Sequence, residues 1–257
     1  WLVLLGVAYR RHNPARLHVS GTLGVALVMF LAAGTWHLSR VGEVAIRPAP
    51  MVRPHDLTPA RWWSDGWRSL PSHRVDFIGH LKQPFSVQWI GERGDVIAWL
   101  QRQGWVPPPK LTLVNMLLWL KPHPRIGELP VLPQVHDGHY ERVLLVHKTG
   151  TPGRQLVLRL WRANAALRDG PANASLWIGY VTYQVIKEPL VFLSLPLPDK
   201  EFDQPLQRLK VYLEGLKWRA AQRKVGAVRR AQKQVRWDGQ VLLAQPAAGA
   251  GGGHIEK

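Results

Sequence analysis

The sequence predicts an α+β fold, a mostly antiparallel sheet with two or more helices, preceded by a transmembrane helix. Three observations lead to this prediction. An uncharged stretch near the start of the chain is long enough to cross a bilayer. Short apolar runs of strand length follow it. Two helix-like segments interrupt these runs without strict strand–helix alternation, which favours an antiparallel sheet over a parallel one.

The uncharged stretch covers residues 17–38 and contains no Asp, Glu, Lys or Arg. As a helix that rises about 1.5 Å per residue, it covers the ~30 Å of a bilayer core. The apolar region of a secretory signal is only about 7–15 residues long, and a buried core helix is seldom so uniformly apolar. We therefore predict a transmembrane helix over residues 17–38, with the lipid bilayer as its partner.

Residues 1–16 are predicted to be the end of a preceding apolar segment and a basic loop. The loop contains three arginines: Arg10, Arg11 and Arg16. Short basic loops tend to remain in the cytoplasm, which places the domain after the span on the opposite side. The difference in positive charge between the two sides of the span is small, because three more arginines follow it: Arg40, Arg47 and Arg53. We expect an inner-membrane protein with a periplasmic soluble domain.

Four segments follow the span. Residues 39–60 contain several prolines and no apolar periodicity, which is typical of a stiff Pro-rich spacer. Residues 61–200 have the ordinary size of one soluble domain. Residues 201–237 are predicted to form a basic amphipathic helix, and residues 238–257, rich in Ala and Gly, a flexible tail.

Within the soluble domain, the spacing of apolar residues predicts five strands and two helices. The strands are expected at residues 74–78, 85–90, 143–147, 155–161 and 176–186, and the helices at 95–103 and 111–120. Residues 148–153, between the third and fourth of these strands, are rich in Gly and Thr and contain a Pro. This composition indicates a hairpin turn.

The chain is strongly basic, with a net charge of +17, and a basic surface attracts anions. Four leucines recur at helical spacing and share one face: Leu206, Leu209, Leu213 and Leu216. The residues predicted to contact an anionic surface are Arg223, Lys224, Arg229, Arg230, Lys233 and Arg236. The expected partner is anionic lipid or an adjacent membrane domain. Nucleic acid is not expected, because the chain has no motif of a nucleic-acid-binding fold.

Three of the thirteen tryptophans follow the spacer directly: Trp62, Trp63 and Trp67. Trp favours the headgroup level of a bilayer, where the apolar ring and the polar N–H are both accommodated. The alternative is that these rings pack against the domain's own surface, with each N–H bonded there. The sequence leaves both interpretations open.

Candidate catalytic residues cluster at His136, Asp137 and His139. Two imidazoles and a carboxylate could bind zinc or transfer protons near neutral pH. The alternative is a local Asp-Gly turn before a strand. The spacing matches no strong metal signature and the sequence has no cysteine ligands, so no metal is predicted. No phosphate-binding glycine loop occurs either, and no cofactor is predicted.

Arg159 is a fourth candidate. It lies between Leu158 and Leu160 in a strand pattern, so its side chain points to the opposite face from both. The guanidinium is either solvated or buried. Burial would require a partner, for which Asp76 and Asp137 are the candidates.

An ordered series of short motifs resembles the LssY C-terminal domain family, a module found at the end of bacterial membrane proteins. The motifs span about residues 60–190 and are Trp62-Trp63, Leu70-Pro71, Arg74 with Asp76, Gln83-Pro84, Val87-Gln88-Trp89, Gly104-Trp105, Leu129-Pro130-Val131-Leu132-Pro133, His136-Asp137-Gly138, Leu158-Arg159-Leu160-Trp161 and Leu176-Trp177-Ile178-Gly179. The resemblance implies an appendage to an integral membrane protein, often one with a lipid-phosphatase-like or DedA-like membrane part. It implies no catalytic residues for this domain.

These observations together favour a membrane-tethered, non-catalytic, extracytoplasmic domain. We expect it to bind an anionic surface or a partner beside the membrane part of its own protein. The alternative is part of a lipid- or polyprenyl-phosphate hydrolase, with its catalytic signature upstream of this chain or its catalysis at His136, Asp137 and His139. A pocket in which these residues converge with Arg159 would favour the enzyme.

Overall fold

The computed structural model describes residues 55–170, 174–190, 193–224 and 235–247. The predictions for residues 1–16, for the transmembrane helix at 17–38 and for most of the spacer at 39–60 lie outside these residues. Within the described ranges, no helix combines the length and the apolar character needed to cross a bilayer.

The described residues form thirteen strands and four α-helices. The strands are β1 (His55–Leu57), β2 (His73–Val75), β3 (Leu81–Pro84), β4 (Val87–Gly91), β5 (Val135–His136), β6 (His139–Tyr140), β7 (Val143–Lys148), β8 (Arg154–Arg162), β9 (Ala165–Leu167), β10 (Ser175–Leu190), β11 (Leu193–Pro198), β12 (Lys217–Gln222) and β13 (Gln240–Gln245). The helices are α1 (Pro59–Ser64), α2 (Arg93–Arg102), α3 (Leu113–Met116) and α4 (Asp203–Lys210), with 3₁₀ turns at Gly66–Ser69, Leu117–Leu120, Ile126–Glu128 and Val211–Leu213.

A seven-stranded sheet organises the fold, in the order β12-β13-β4-β10-β8-β7, with β11 also paired to β10. The long strand β10 pairs with β8 along one edge, and with β4 and then β11 along the other. Every pair in this sheet is antiparallel except β13 with β4. The predicted α+β class with a mostly antiparallel sheet is therefore confirmed.

Alternating side chains of the sheet build two apolar clusters, one on each face. On one face, Trp89 and Leu158 pack with buried residues of α2 and α4. On the other, Trp161 and Tyr180 pack with residues from the start of the domain, including Trp62 and Trp67. The second face carries the polar residues described below.

The basic helix predicted over residues 201–237 is much shorter in the structure. Helix α4 and the following 3₁₀ turn end at Leu213, and β12 begins at Lys217. Gly215, with φ +90°, ends the helix, because a left-handed conformation at this position favours glycine. Three of the four leucines, Leu206, Leu209 and Leu213, are buried and pack into the core.

The prediction of a flexible tail over residues 238–257 is wrong for Gln240–Gln245, which form β13. This strand lies between β12 and β4, and its four central residues are all buried: Val241, Leu242, Leu243 and Ala244. The sequence of a strand that is covered on both faces is a continuous apolar run, without alternation of apolar and polar residues. Residues 248–257 of the predicted tail lie outside the described part of the chain.

Candidate functional site

The Asp-Gly dipeptide of the predicted catalytic cluster forms a tight hairpin. Asp137 and Gly138 connect β5 to β6 with φ values of +47° and +77°. Two central residues with positive φ are typical of a type I′ turn. Asp137 and His139 are therefore exposed at a hairpin tip, where His139 Nδ1 lies 2.8 Å from the Asp137 carbonyl oxygen. Among the described residues, no three His, Asp or Glu side chains are arranged to hold a metal.

His136 is buried, unlike the other two candidates of the hairpin. Its Nδ1 accepts a hydrogen bond from the Val75 backbone N–H at 3.1 Å, and its ring lies edge-on to Phe85 at 4.8 Å. Burial lowers the pKa of His136 to about 4, and the nearby Arg74 adds to this effect while Asp137 opposes it. The imidazole is therefore neutral near pH 7 and serves as a hydrogen-bond acceptor.

Arg159 is buried and paired, and its partner is Glu141. Both side chains are 3% exposed, and Arg159 Nη1 donates to Glu141 Oε1. Arg159 Nη2 donates to the Leu132 carbonyl oxygen at 2.8 Å, while Glu141 Oε2 accepts from the Gln134 backbone N–H at 2.9 Å. The sequence-based candidates, Asp76 and Asp137, are not the partners. The ion pair fastens the segment before β7 to strand β8.

A second guanidinium, Arg74, lies in the same buried region. Its Nε donates to Gln83 Oε1 at 2.7 Å and its Nη1 to the Val135 carbonyl oxygen. The Tyr180 hydroxyl donates to Gln134 Oε1, and burial raises the pKa of Tyr180 to about 12. We call this set the buried network: Arg74, Gln83, Gln134, His136, Glu141, Arg159 and Tyr180. Its hydrogen bonds join residues 132–141 to β2, β8 and β10, and β2 to β3, which is a positioning role.

A row of cations follows strand β12 and faces two tryptophans near the start of the domain. Lys217 Nζ lies 4.8 Å from the centre of the Trp63 ring, and Arg219 Cζ lies 5.3 Å from it. Arg223 Cζ lies 5.2 Å from the centre of the Trp67 ring, and Arg68 Cζ lies 4.8 Å from it. We call this surface the basic strip: Trp63, Trp67, Arg68, Lys217, Arg219 and Arg223. Cations over indole rings are held in a defined position.

Two arginines of the basic strip are held by backbone carbonyl groups. Arg219 Nη2 donates to the carbonyl oxygens of Trp63 and Ser64. Arg223 donates to three more, those of Trp67, Arg68 and Leu70. The tryptophans at the start of the domain therefore have two roles. Trp62 and Trp67 are core residues, and Trp63 contacts the β12 cations Lys217 and Arg219.

The charge of the basic strip is not balanced within the described residues. Burial, and then the nearby Arg68, lower the pKa of both Arg219 and Arg223. Among the described ion pairs, none includes a cation of the strip. The Nε atoms of Arg219 and Arg223 are also buried without a hydrogen-bond partner. Four cations that repel one another in a fixed arrangement favour the binding of an anion.

The six residues predicted to contact an anionic surface have different positions. Arg223 belongs to the basic strip, and Lys224 is exposed next to it. Arg236 is exposed, with Nη1 3.9 Å from Glu201 Oε2. Arg229, Arg230 and Lys233 lie outside the described residues. The sequence analysis missed Arg68, Lys217 and Arg219, although the Lys-x-Arg alternation after Gly215 is a signal for a strand with cations on one face.

The fold and its surface define an α+β domain with a closed polar interior and an unbalanced cationic strip. Residues 67–187 match the family model described as LssY C-terminus. The match confirms the resemblance seen in the sequence motifs. No curated protein and no solved structure matches the chain.

Proposed function

We propose that this domain is a non-catalytic module, tethered to a membrane through residues 17–38, that binds an anionic surface beside the membrane part of its own protein. The proposal places the domain on the extracytoplasmic side of a bacterial inner membrane. The observation that carries it is the basic strip, in which four cations lie over tryptophan rings and two of them also bond to backbone carbonyl groups. None of the four has a carboxylate partner among the described ion pairs.

The buried network supports a binding role over a catalytic one. His136 accepts a backbone hydrogen bond and Arg159 neutralises Glu141, so both side chains already have structural partners. Asp137 and His139 are exposed at the hairpin tip, whereas His136 is buried. The four candidate residues therefore do not converge in one pocket, which was the condition that favoured an enzyme.

The location of the strip suits contact with an extended surface. Strand β12 ends the sheet order, and Lys217 and Arg68 are exposed. Each Lys or Arg close to an anionic membrane contributes about 1 kcal/mol. Several cations in one strip would give weak, reversible attachment that salt weakens.

The test compares two variants of the compact unit Val52–Lys257 that remove the same charge from opposite edges of the sheet. The first is Arg68→Gln with Lys217→Gln in the basic strip, and the control is Arg142→Gln with Lys148→Gln at β7. Binding is measured by sedimentation with phosphatidylcholine vesicles that contain or lack phosphatidylglycerol. The strip variant should bind the anionic vesicles about thirtyfold more weakly than the control, since the loss of two contact cations costs about 2 kcal/mol.

Equal binding of the two variants would exclude the basic strip as the contact. Binding of the unaltered protein that is insensitive to salt, or equal on both kinds of vesicle, would contradict an electrostatic contact.

A further inference from the structure

A second surface of the domain is apolar. Residues 111–120 contain no charged residue and form helix α3 followed by a 3₁₀ turn. We call them the apolar segment. Leu113, Val114 and Leu117 are 84%, 73% and 61% exposed, and Leu111 and Leu120 are also exposed. A group of large apolar side chains on a soluble surface marks an interaction site.

The Thr112 and Asn115 side chains of the apolar segment are hydrogen-bonded locally. The Thr112 hydroxyl oxygen accepts from the Asn115 backbone N–H at 3.2 Å, and the Asn115 side-chain amide donates to the Lys110 carbonyl oxygen at 2.8 Å. Trp119 is buried, with no hydrogen-bond partner for its indole N–H, and its ring anchors the segment while Leu113 and Leu117 face outward. The segment is thus held in a shape that exposes its apolar side.

The flanks of the segment are cationic, with Lys110 before it and Lys121 and Arg125 after it. Lys121 Nζ lies 3.1 Å from Glu128 Oε2, and Arg125 Nε lies 4.0 Å from Glu128 Oε1. The single carboxylate of Glu128 thus faces two cations, and Lys110 adds a third positive charge. An apolar tip between cations matches the layers of a membrane surface, in which phosphate groups lie above acyl chains.

We propose that the apolar segment inserts into the interfacial layer of a lipid bilayer, with Lys110 and Lys121 at the level of the phosphate groups. The inference rests on the proposed function in one respect, that the domain lies beside a membrane. It differs in its surface and in its chemistry, because contact here is made by leucines with acyl chains and the basic strip contributes only charge.

The test uses the full chain reconstituted in lipid nanodiscs. The sequence has no cysteine, so a single substitution can be labelled selectively with an environment-sensitive fluorophore. Leu113→Cys and Leu117→Cys report on the apolar segment, and Val211→Cys, which is 70% exposed elsewhere on the domain, is the matched control. Quenching is measured with nitroxide-labelled lipid, and with iodide from the aqueous side.

Labels at positions 113 and 117 should be quenched by the lipid nitroxide at least about twice as strongly as the label at 211, because an inserted segment lies about 5–10 Å into the interfacial layer. Lipid quenching at 113 no stronger than at 211 would overturn the proposal. Protection from iodide without lipid quenching would also overturn it, since a protein partner or a second copy would then cover the segment.

Nanodiscs of phosphatidylcholine alone separate this inference from the proposed function. Lipid quenching at position 113 that persists without anionic lipid supports insertion of the apolar segment even if the basic strip proves not to bind anions. Loss of quenching in both lipid compositions contradicts insertion, whatever the result for the basic strip.

Discussion

At the scale of single residues, the buried network shows how carboxylates make two buried guanidinium groups tolerable. Glu141 is in direct contact with Arg159, and Arg74, whose pKa is lowered by burial, is stabilised in its charged form by Asp76 and more weakly by Glu141. A buried ion whose partner is removed retains the cost of desolvation without the attraction that offset it. Stability of the segment around β5 and β6 should therefore depend on Glu141.

Replacing Glu141 by Gln should lower the free energy of unfolding by about 3 kcal/mol or more, because it leaves Arg159 buried without a counter-charge. The measurement is urea unfolding of the compact unit. Glu128→Gln is the control, since Glu128 belongs to an exposed pair with Lys121 and should change stability by less than about 1 kcal/mol. Equal effects of the two substitutions would show that the buried pair has no special role.

The neutral His136 should make the domain less stable in acid. Its pKa is lowered to about 4 in the fold, against about 6.5 in an unfolded chain. Between these values the unfolded state binds more protons, so stability is complete above about pH 6.5 and decreases as pH falls toward 4. The loss should reach about 3 kcal/mol, which corresponds to the difference between the two pKa values.

The variant His136→Asn keeps an acceptor near Nδ1 and removes the titration. Urea unfolding at pH 7 and pH 4 should show a smaller acid effect in this variant than in the unaltered protein. An acid effect of the same size in both proteins would show that His136 is not responsible.

At the scale of secondary structure, local patterns predict some elements well. The predicted ends of α2, β7 and β8 lie within two residues of those observed, because 3.6-residue periodicity and turn residues are properties of the local sequence. Strand β13 is different. It pairs in parallel with β4, from the other end of the domain, and no local pattern encodes that pairing.

The same limit applies to the candidate site. The Asp137-Gly138 turn follows from its dipeptide alone. The partner of Arg159 does not, because it depends on where residues 132–141 cross the sheet. The basic strip likewise depends on β12 lying beside α1, and a short apolar run such as 241–244 cannot be assigned to strand or tail by pattern alone.

Two leucines offer a direct test of the assignment of β13. Leu242 is fully buried and Leu113 is 84% exposed, so the same change, Leu→Ala, should have different effects. Leu242→Ala should lower the free energy of unfolding by about 2–5 kcal/mol, and Leu113→Ala by less than about 0.5 kcal/mol. Similar losses in urea unfolding would contradict a central position for β13.

At the scale of the whole molecule, the basic strip and the apolar segment belong to different elements of the fold. The basic strip lies along β12 at one end of the sheet order, while the apolar segment, between α2 and β5 in the chain, carries its own cationic flanks. The buried network joins residues 132–141, before β7, to strands β8 and β10 of the sheet. This arrangement suits a rigid domain that presents fixed surfaces to a neighbouring membrane.

The most direct test of the central claim is hydrogen exchange of the full chain in nanodiscs with and without phosphatidylglycerol. Anionic lipid should slow exchange in β12 and in Pro59–Ser64 with the adjoining 3₁₀ turn, and added salt should reverse the effect. Exchange in β7, at the opposite edge of the sheet, should not change. Equal exchange of the basic strip in both lipids, or equal slowing at β7, would contradict the account.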